Sequence, residues 1–295
     1  MDTLDALHQH RLLTTSQLQE MILPGRTLRR TQQVLGELVS RHLVDWVAAR
    51  GDWPGPGERV WFLTKRGSAV VDAIPNKAEP RLRLLAPEQA AGRLQSHTLA
   101  VNEIGLAFMR AARQRDEDFN IGSWRHEIAH DIVIGRRRRL VIADAVFKYW
   151  LRAEEDAIGL RPRFLELDRA TLSIEDLAAK LSRYADLRRC WYDYQDAGSA
   201  ERERMPAWPS RYPAWPKLMV AFANSVRGNP RLRMHYVMAL CRRDGEIMRD
   251  PLWLSFALFD DLVDSGPFGA VFQQLGDDGL VNWLGEPVGV EGQAA

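Results

Sequence analysis

The sequence predicts an α/β (α+β) protein made of two successive units, and three observations predict it. Residues 1–74 read helix, helix, helix, strand, strand, short helix. Residues 96–223 read α-β-β-β-α-β, and residues 75–95, with Pro75 and Pro80, read as a linker between the two. A chain of 295 residues is long enough for two ordinary domains, so the second unit extends over 96–295.

In the first unit, Leu4–His10 reads as a short helix. Thr14 and Thr15 can cap a second over Ser16–Leu23, which Pro24-Gly25 ends. Arg26–Arg41 is the most amphipathic stretch. At about 100° per residue, Leu28, Thr31, Val34, Leu35, Leu38 and His42 fall on one arc, with Arg26, Arg29, Arg30, Gln33 and Glu37 opposite. Val44–Ala49 and Arg59–Thr64 alternate as strands across the Pro/Gly turn Gly51–Gly57, and Lys65–Ala73 closes the unit as a helix.

In the second unit, Ser96–Arg113 reads as a helix. Strands follow at Ser123–Ile134, Leu140–Trp150 and Arg163–Arg169. Ser173–Tyr194 reads as a long helix, with Ser173-x-x-Asp176 as a weak capping box. Ala197–Pro216 is Trp/Pro-rich and reads as a surface excursion. Lys217–Ala223 is an apolar strand, Pro230–Arg242 a helix, Trp253–Phe259 a last strand and Asp261–Ser265 a short final helix.

Bulk properties exclude several function classes. The net charge is +1, so no global field attracts the chain to a polyanion. The sum hides an asymmetry. Residues 1–74 carry nine basic and eight acidic residues, 75–243 carry 30 and 21, and 244–295 carry one and ten. The basic middle suits a polyanionic partner, and the acidic tail either covers that surface or serves solubility. Two cysteines without a CxxC, Cys190 and Cys241, exclude a disulfide framework and a Cys-based zinc finger, and they suit a reducing cytoplasm. No signal-peptide core is present. The longest apolar stretch, around Leu252–Phe259, is too short for a bilayer, so no membrane partner is expected.

The order of elements in the first unit is that of a winged helix-turn-helix, whose third helix enters the DNA major groove. Arg26, Thr27, Arg29, Arg30, Gln32 and Gln33 are therefore candidate contacts to duplex DNA. Arginine can bind guanine, and glutamine adenine, through paired hydrogen bonds. Arg50 and Arg59 flank the wing tip, where they would meet phosphates. The competing role for such a unit is a protein-docking or dimerisation module. DNA binding is the reading adopted, with a homodimer or the basic middle domain supplementing a modest positive face.

In the second unit, Asp144 interrupts an apolar strand, and period two puts Glu166 and Asp168 on one sheet face. Lys180 follows on the next helix, one turn before Tyr184. Carboxylates converging with a lysine are what a Mg²⁺-dependent phosphodiesterase needs: the carboxylates hold the cation, and the lysine offsets phosphate charge.

The series His97…Val101-Asn102-Glu103, Trp124…Glu127, Ala143-Asp144-Ala145-Val146, Phe164-Leu165-Glu166-Leu167-Asp168-Arg169-Ala170-Thr171 and Lys180-Leu181-x-x-Tyr184 resembles the replication-relaxation proteins of actinobacterial plasmids and mobile elements. That resemblance implies a role in replication, relaxation or mobilisation, with replication or mobilisation proteins as partners. The second unit also resembles the restriction-endonuclease-like core, whose pattern is Pro-Asp then Asp/Glu-x-Lys. That match implies Asp144 and Glu166 as metal ligands with Asp168 beside them, Lys180 standing in for the lysine, and Glu103 assisting the metal. Ala143 replaces the pattern's proline, and Asp168 occupies its lysine position. A degenerate, non-cleaving site is preferred. The alternatives are a transcription regulator without catalysis and an active Mg²⁺-dependent DNA nuclease.

Three further signals compete. His126-Glu127-x-x-His130 matches a zinc-protease pattern that requires a helix, whereas its context reads as a strand, so the match is coincidental in this reading, with Glu154 and Glu155 the downstream ligands on offer. Arg136–Arg139 lies in a hairpin turn, either as a phosphate clamp or as a solvated turn. His97 falls on its helix's apolar face as a core histidine.

Overall fold

The computed structural model describes residues 2–49, 58–74, 90, 92, 94–134, 137–152, 158–194, 203–206, 208–224 and 228–288. The chain is a mixed α/β protein that divides into two compact units: Met1–Met109 with Asn120–Arg125, and Arg110–Phe119 with His126–Ala295.

The first unit contains α1 (Asp2–His10), β1 (Leu13–Thr14), α2 (Thr15–Ile22), α3 (Leu28–Ser40), β2 (Val44–Ala48), β3 (Arg59–Leu63), α4 (Lys65–Asp72) and most of α5 (Leu94–Arg115). Its three strands run antiparallel in the order β1-β3-β2, with Trp46 opposite Trp61. The Thr14 hydroxyl accepts from the Gln17 backbone, and the Gln17 side chain accepts from the Thr14 N–H, so a full capping box starts α2. Gly67 in α4 lies so close to the Leu43 carbonyl that a Cβ would stand 1.9 Å from its oxygen. Only glycine permits that approach.

Helix α3 starts two residues later than the pattern suggests. Thr27 is its N-cap residue and makes no side-chain cap bond, so Arg26 and Thr27 precede the helix. Thr31 and Leu35 are its buried residues, and Leu28, expected on the apolar arc, is 48% exposed. His42, expected on the same arc, lies beyond the helix with φ +57° and is exposed. Leu12, Val60, Phe62 and Leu99 belong to one buried cluster, and Leu13 and Leu35 are fully buried as well.

The sequence draws a boundary at 74–96, whereas the first unit takes in α5 as far as Met109, and side-chain hydrogen bonds give the reason. Gln17 donates to the Leu99 carbonyl (2.9 Å), Asn102 donates to that of Leu12 (2.9 Å), and the Trp124 indole donates to Asn102 (3.2 Å). His10 stacks on Trp124 at 4.2 Å, and burial lowers its pKa to about 3, so it is neutral. The wing turn 51–57 with Arg50, most of the proposed linker, Arg136, and Glu154 and Glu155 lie outside the described residues.

The second unit is built on a seven-stranded mixed sheet in the order β12-β11-β10-β9-β6-β5-β4. These strands are β4 (Trp124–Ile134), β5 (Arg137–Arg152), β6 (Ile158–Asp168), β9 (Lys217–Phe222), β10 (Leu254–Leu258), β11 (Phe272–Gln274) and β12 (Leu280–Val281), of which β4 begins in the first unit. Strands β5 and β6 are antiparallel, whereas β6, β9 and β10 are mutually parallel. Parallel neighbours need crossovers. Helix α6 (Ile174–Arg188) lies on the first, and α7 (Pro230–Cys241) on the second. Short helices α8 (Gly245–Met248) and α9 (Phe259–Ser265) complete the unit. The elements α5, β4, β5, β6, α6 and β9 follow one another in the α-β-β-β-α-β order read from the sequence, with two further strands inserted between α6 and β9.

Residues 189–194, expected to continue the preceding helix, leave it. Ser173 caps its start and Arg189 its end. Trp191–Tyr194 forms β7, paired antiparallel with β8 (Glu203–Pro206). The Trp-Tyr-x-Tyr run prefers a strand once a partner is present. The Trp/Pro-rich stretch 197–216 thus contributes a strand, and β11 and β12 add edges too short to show as patterns. Helices α6 and α7 cover the sheet with Leu177, Leu181, Tyr184 and Val237, which pack on Phe164, Val220 and Phe256.

Candidate functional site

The first candidate surface is the outward side of α3. Burial of Thr31 and Leu35 turns Arg29, Gln33, Gly36 and Ser40 outward, and all four are exposed, as are Arg30 and Gln32. Arg29, Arg30, Gln32 and Gln33 make no side-chain hydrogen bond or ion pair among the described residues. Arg26 and Thr27 are exposed just before the helix, and the Gln19 amide donates to the Arg26 carbonyl (2.6 Å). Arg59 is exposed at the first residue of β3. Its guanidinium lies over Trp46, 4.4 Å from the ring centre. Leu28, Gln32 and Gly36 of α3 face Trp46, Arg59 and Trp61 across a groove of about 640 Å³.

The second candidate is a buried charge cluster in the second unit. Strand β5 supplies Asp144, β6 supplies Glu166 and Asp168, α6 supplies Lys180 and Tyr184, and α7 supplies Arg233. The Lys180 ammonium donates to Glu166 Oε2 and stands 3.5 Å from Asp144 Oδ1. The Tyr184 hydroxyl donates to Glu166 Oε1, and the Leu167 N–H donates to Asp144 Oδ2 (2.8 Å). Asp168 accepts two bonds from the Arg233 guanidinium, from Nε and from Nη2 (3.1 Å), and one from the Ala170 N–H (3.2 Å). Arg233 also donates to the Leu172 carbonyl (2.7 Å), which ties the end of β6 to α7.

Burial, and then the charge of Asp144, push the Glu166 carboxyl well above the usual range, although Lys180 and Tyr184 pull the other way. Burial opposes the Lys180 ammonium, but Glu166 and Asp144 outweigh it and raise the lysine's pKa. Burial and the neighbouring Glu166 raise Tyr184, which stays a hydroxyl donor. The cluster is therefore a charged lysine between two carboxylates, of which Glu166 takes up a proton more readily than an ordinary glutamate.

A Mg²⁺ ion needs carboxylate oxygens free to face it in octahedral geometry. Here the Asp144 and Glu166 oxygens converge on an ammonium, and both Asp168 oxygens accept from one guanidinium. No group of three or more acidic, histidine or cysteine side chains among the described residues is arranged to hold a metal. The donor set in this arrangement does not fit the ion.

Asp144, Glu166 and Lys180 are thus brought together, with Asp168 held apart on its own arginine. Glu103 lies in the first unit, where Gln17 donates to its Oε2 (3.1 Å). His126 and His130 are buried on strand β4, and Glu127 is exposed with φ +52°. Four residues of strand span roughly 13 Å, too far for two imidazoles to share one metal without moving the backbone. His130 instead meets the Tyr212 hydroxyl (2.7 Å), and burial and then Arg211 lower its pKa to about 4. His97 is half-buried. Sequence reasoning missed Arg233, because no local pattern links it to a strand end 65 residues earlier. Tyr184 had a signal: it lies one helical turn after Lys180 and on the same face.

A family model described as replication-relaxation matches residues 4–201. No curated protein matches, and no solved structure does. No helix among the described residues is long and apolar enough to cross a membrane. The chain belongs to the replication-relaxation family.

Proposed function

We propose that this member of the replication-relaxation family binds duplex DNA in the replication, relaxation or mobilisation of a plasmid or mobile element. In this reading the first unit is a winged helix-turn-helix and α3 is its reading helix. The second unit is an endonuclease-like α/β core that does not cleave. The observation that carries the DNA reading is the outward side of α3, where Arg29, Arg30, Gln32 and Gln33 stand exposed without internal partners among the described residues. Arginine and glutamine on the first turns of such a helix reach base edges and phosphates. Arg59, held over Trp46, shapes the groove beside the helix. A homodimer and partner proteins of replication would supplement this face.

Titration of a specific duplex at two salt concentrations tests this. Arg29→Ala with Arg30→Ala should weaken binding by about 1–3 kcal/mol for each arginine that hydrogen-bonds a base. The salt dependence should flatten by about 0.9 for each arginine that neutralises a phosphate. Unchanged affinity and slope would remove α3 from the interface.

The non-cleaving reading rests on the pairing of Asp144 and Glu166 with Lys180 and of Asp168 with Arg233. Supercoiled DNA incubated with the protein and Mg²⁺ or Mn²⁺ should stay intact. Divalent-dependent nicking that disappears in Glu166→Gln, with DNA binding retained, would make the second unit an active nuclease instead.

A further inference from the structure

The second unit carries a cleft outside the charge cluster, between the start of β5 and α6. It has a volume of about 570 Å³ and is lined by Arg139 and Leu140 on the strand and Ala179, Ser182, Arg183 and Asp186 on the helix. The helical residues recur at spacings of three and four, so they form one stripe of α6. We propose that this cleft seats the sugar–phosphate backbone of duplex DNA and gives the second unit a nucleic-acid contact of its own. The proposal rests on the DNA reading above and extends it to a surface that the reading does not use.

Charge comes first. Arg183 is exposed and has no ion pair among the described residues, and the same holds for Arg138 beside the rim. Arg139 contacts Asp186 at 3.4 Å, but Asp186 is shared with Arg189, also at 3.4 Å. Exposed pairs of that length hold an arginine weakly, by about 0–1 kcal/mol. The lining therefore holds two arginines, Arg139 and Arg183, against one carboxylate, Asp186, which Arg189 also shares, and this leaves the cleft an excess of positive charge.

The lining also selects among polyanions. It contains no aromatic side chain among the described residues, so unstacked bases find no platform, and a single strand gains little there. The guanidinium fork and the Ser182 hydroxyl are phosphate donors. Leu140, 47% exposed, and Ala179 give the sugar an apolar floor. Contacts of this kind position a duplex without reading its sequence.

The test uses the full chain with Arg139→Gln and Arg183→Gln together, titrated against duplexes of several sequences, a single strand and an acidic peptide. Duplex affinity should fall about tenfold, equally for every sequence, and the salt slope should fall by about 1.8 for two phosphate contacts at roughly 0.9 each. Asp186→Asn, which frees Arg139, should tighten duplex binding. Denaturant unfolding of both variants should match wild type, since the arginines are exposed. Unchanged duplex affinity and slope would overturn the proposal, as would a loss confined to the single strand or the peptide. Arg29→Ala with Arg30→Ala in the same assay separates the two claims. If that variant loses binding and the cleft variant does not, the cleft fails and the α3 reading stands; if neither does, both fail.

Discussion

The outward side of α3 and the charge cluster behind β5 and β6 are both rich in ionisable or polar groups, and they treat them in opposite ways. On α3, Arg29, Arg30, Gln32 and Gln33 are exposed and have no internal partner among the described residues. In the cluster, Glu166 and Asp168 are buried, and Lys180, Tyr184 and Arg233 satisfy them from two helices. Polar groups that the fold satisfies internally hold helices to a sheet. Polar groups left in water are available to a partner. A charge-rich motif is therefore not by itself a reactive site.

The contrast makes its largest prediction for stability. Lys180→Met should cost about 3–5 kcal/mol in urea unfolding, because it leaves Asp144 and Glu166 facing each other without a cation. Adding Glu166→Gln should recover much of that loss. Arg233→Ala should cost somewhat less, about 3 kcal/mol, since Asp168 keeps the Ala170 N–H. If Lys180→Met unfolds like wild type, the cluster is not a brace, and the contrast with α3 collapses.

A pH series sharpens the same point. Because the Glu166 carboxyl is raised in the folded state, the fold binds a proton that the unfolded chain does not. Its contribution is fully present below the ordinary glutamate pKa of about 4.3 and is lost as pH rises through the raised value. Glu166→Gln, which does not titrate, should therefore gain in stability relative to wild type as pH rises across that window. A constant difference between the two would place Glu166 at its ordinary pKa.

On the α3 side the expected effect on stability is small. Arg29→Ala with Arg30→Ala should unfold within about 0.5 kcal/mol of wild type, since neither touches the core. A larger loss would mean that the helix face is structural after all. Smallest of all, His126→Ala should leave the metal content of purified protein unchanged. Stoichiometric zinc that this substitution removes would show that His126 ligates a metal despite its place on strand β4.

Local patterns in the sequence determined much of this. Thr14 announces the cap of α2, the periodicity from 28 to 40 gives α3, and β-branched or aromatic runs give β3, β5, β6 and β9. Such signals are legible because hydrogen bonds and burial within one element act over a few residues. Asp144, Glu166 and Lys180 were also legible as a candidate group, because carboxylates on strands beside a half-buried lysine conflict with burial unless they meet.

Only the tertiary structure decided the rest. It turned Trp191–Tyr194 from helix into strand by supplying β8 as a partner. It extended the first unit to Met109 through Gln17 and Asn102, whose partners lie more than 80 residues away along the chain. It gave Asp168 to Arg233, set Arg59 over Trp46 and left Leu28 in the open. Each of these depends on which distant element lies opposite, and a desolvated charge takes the nearest donor that the folded backbone brings to it. Sequence spacing does not encode that choice.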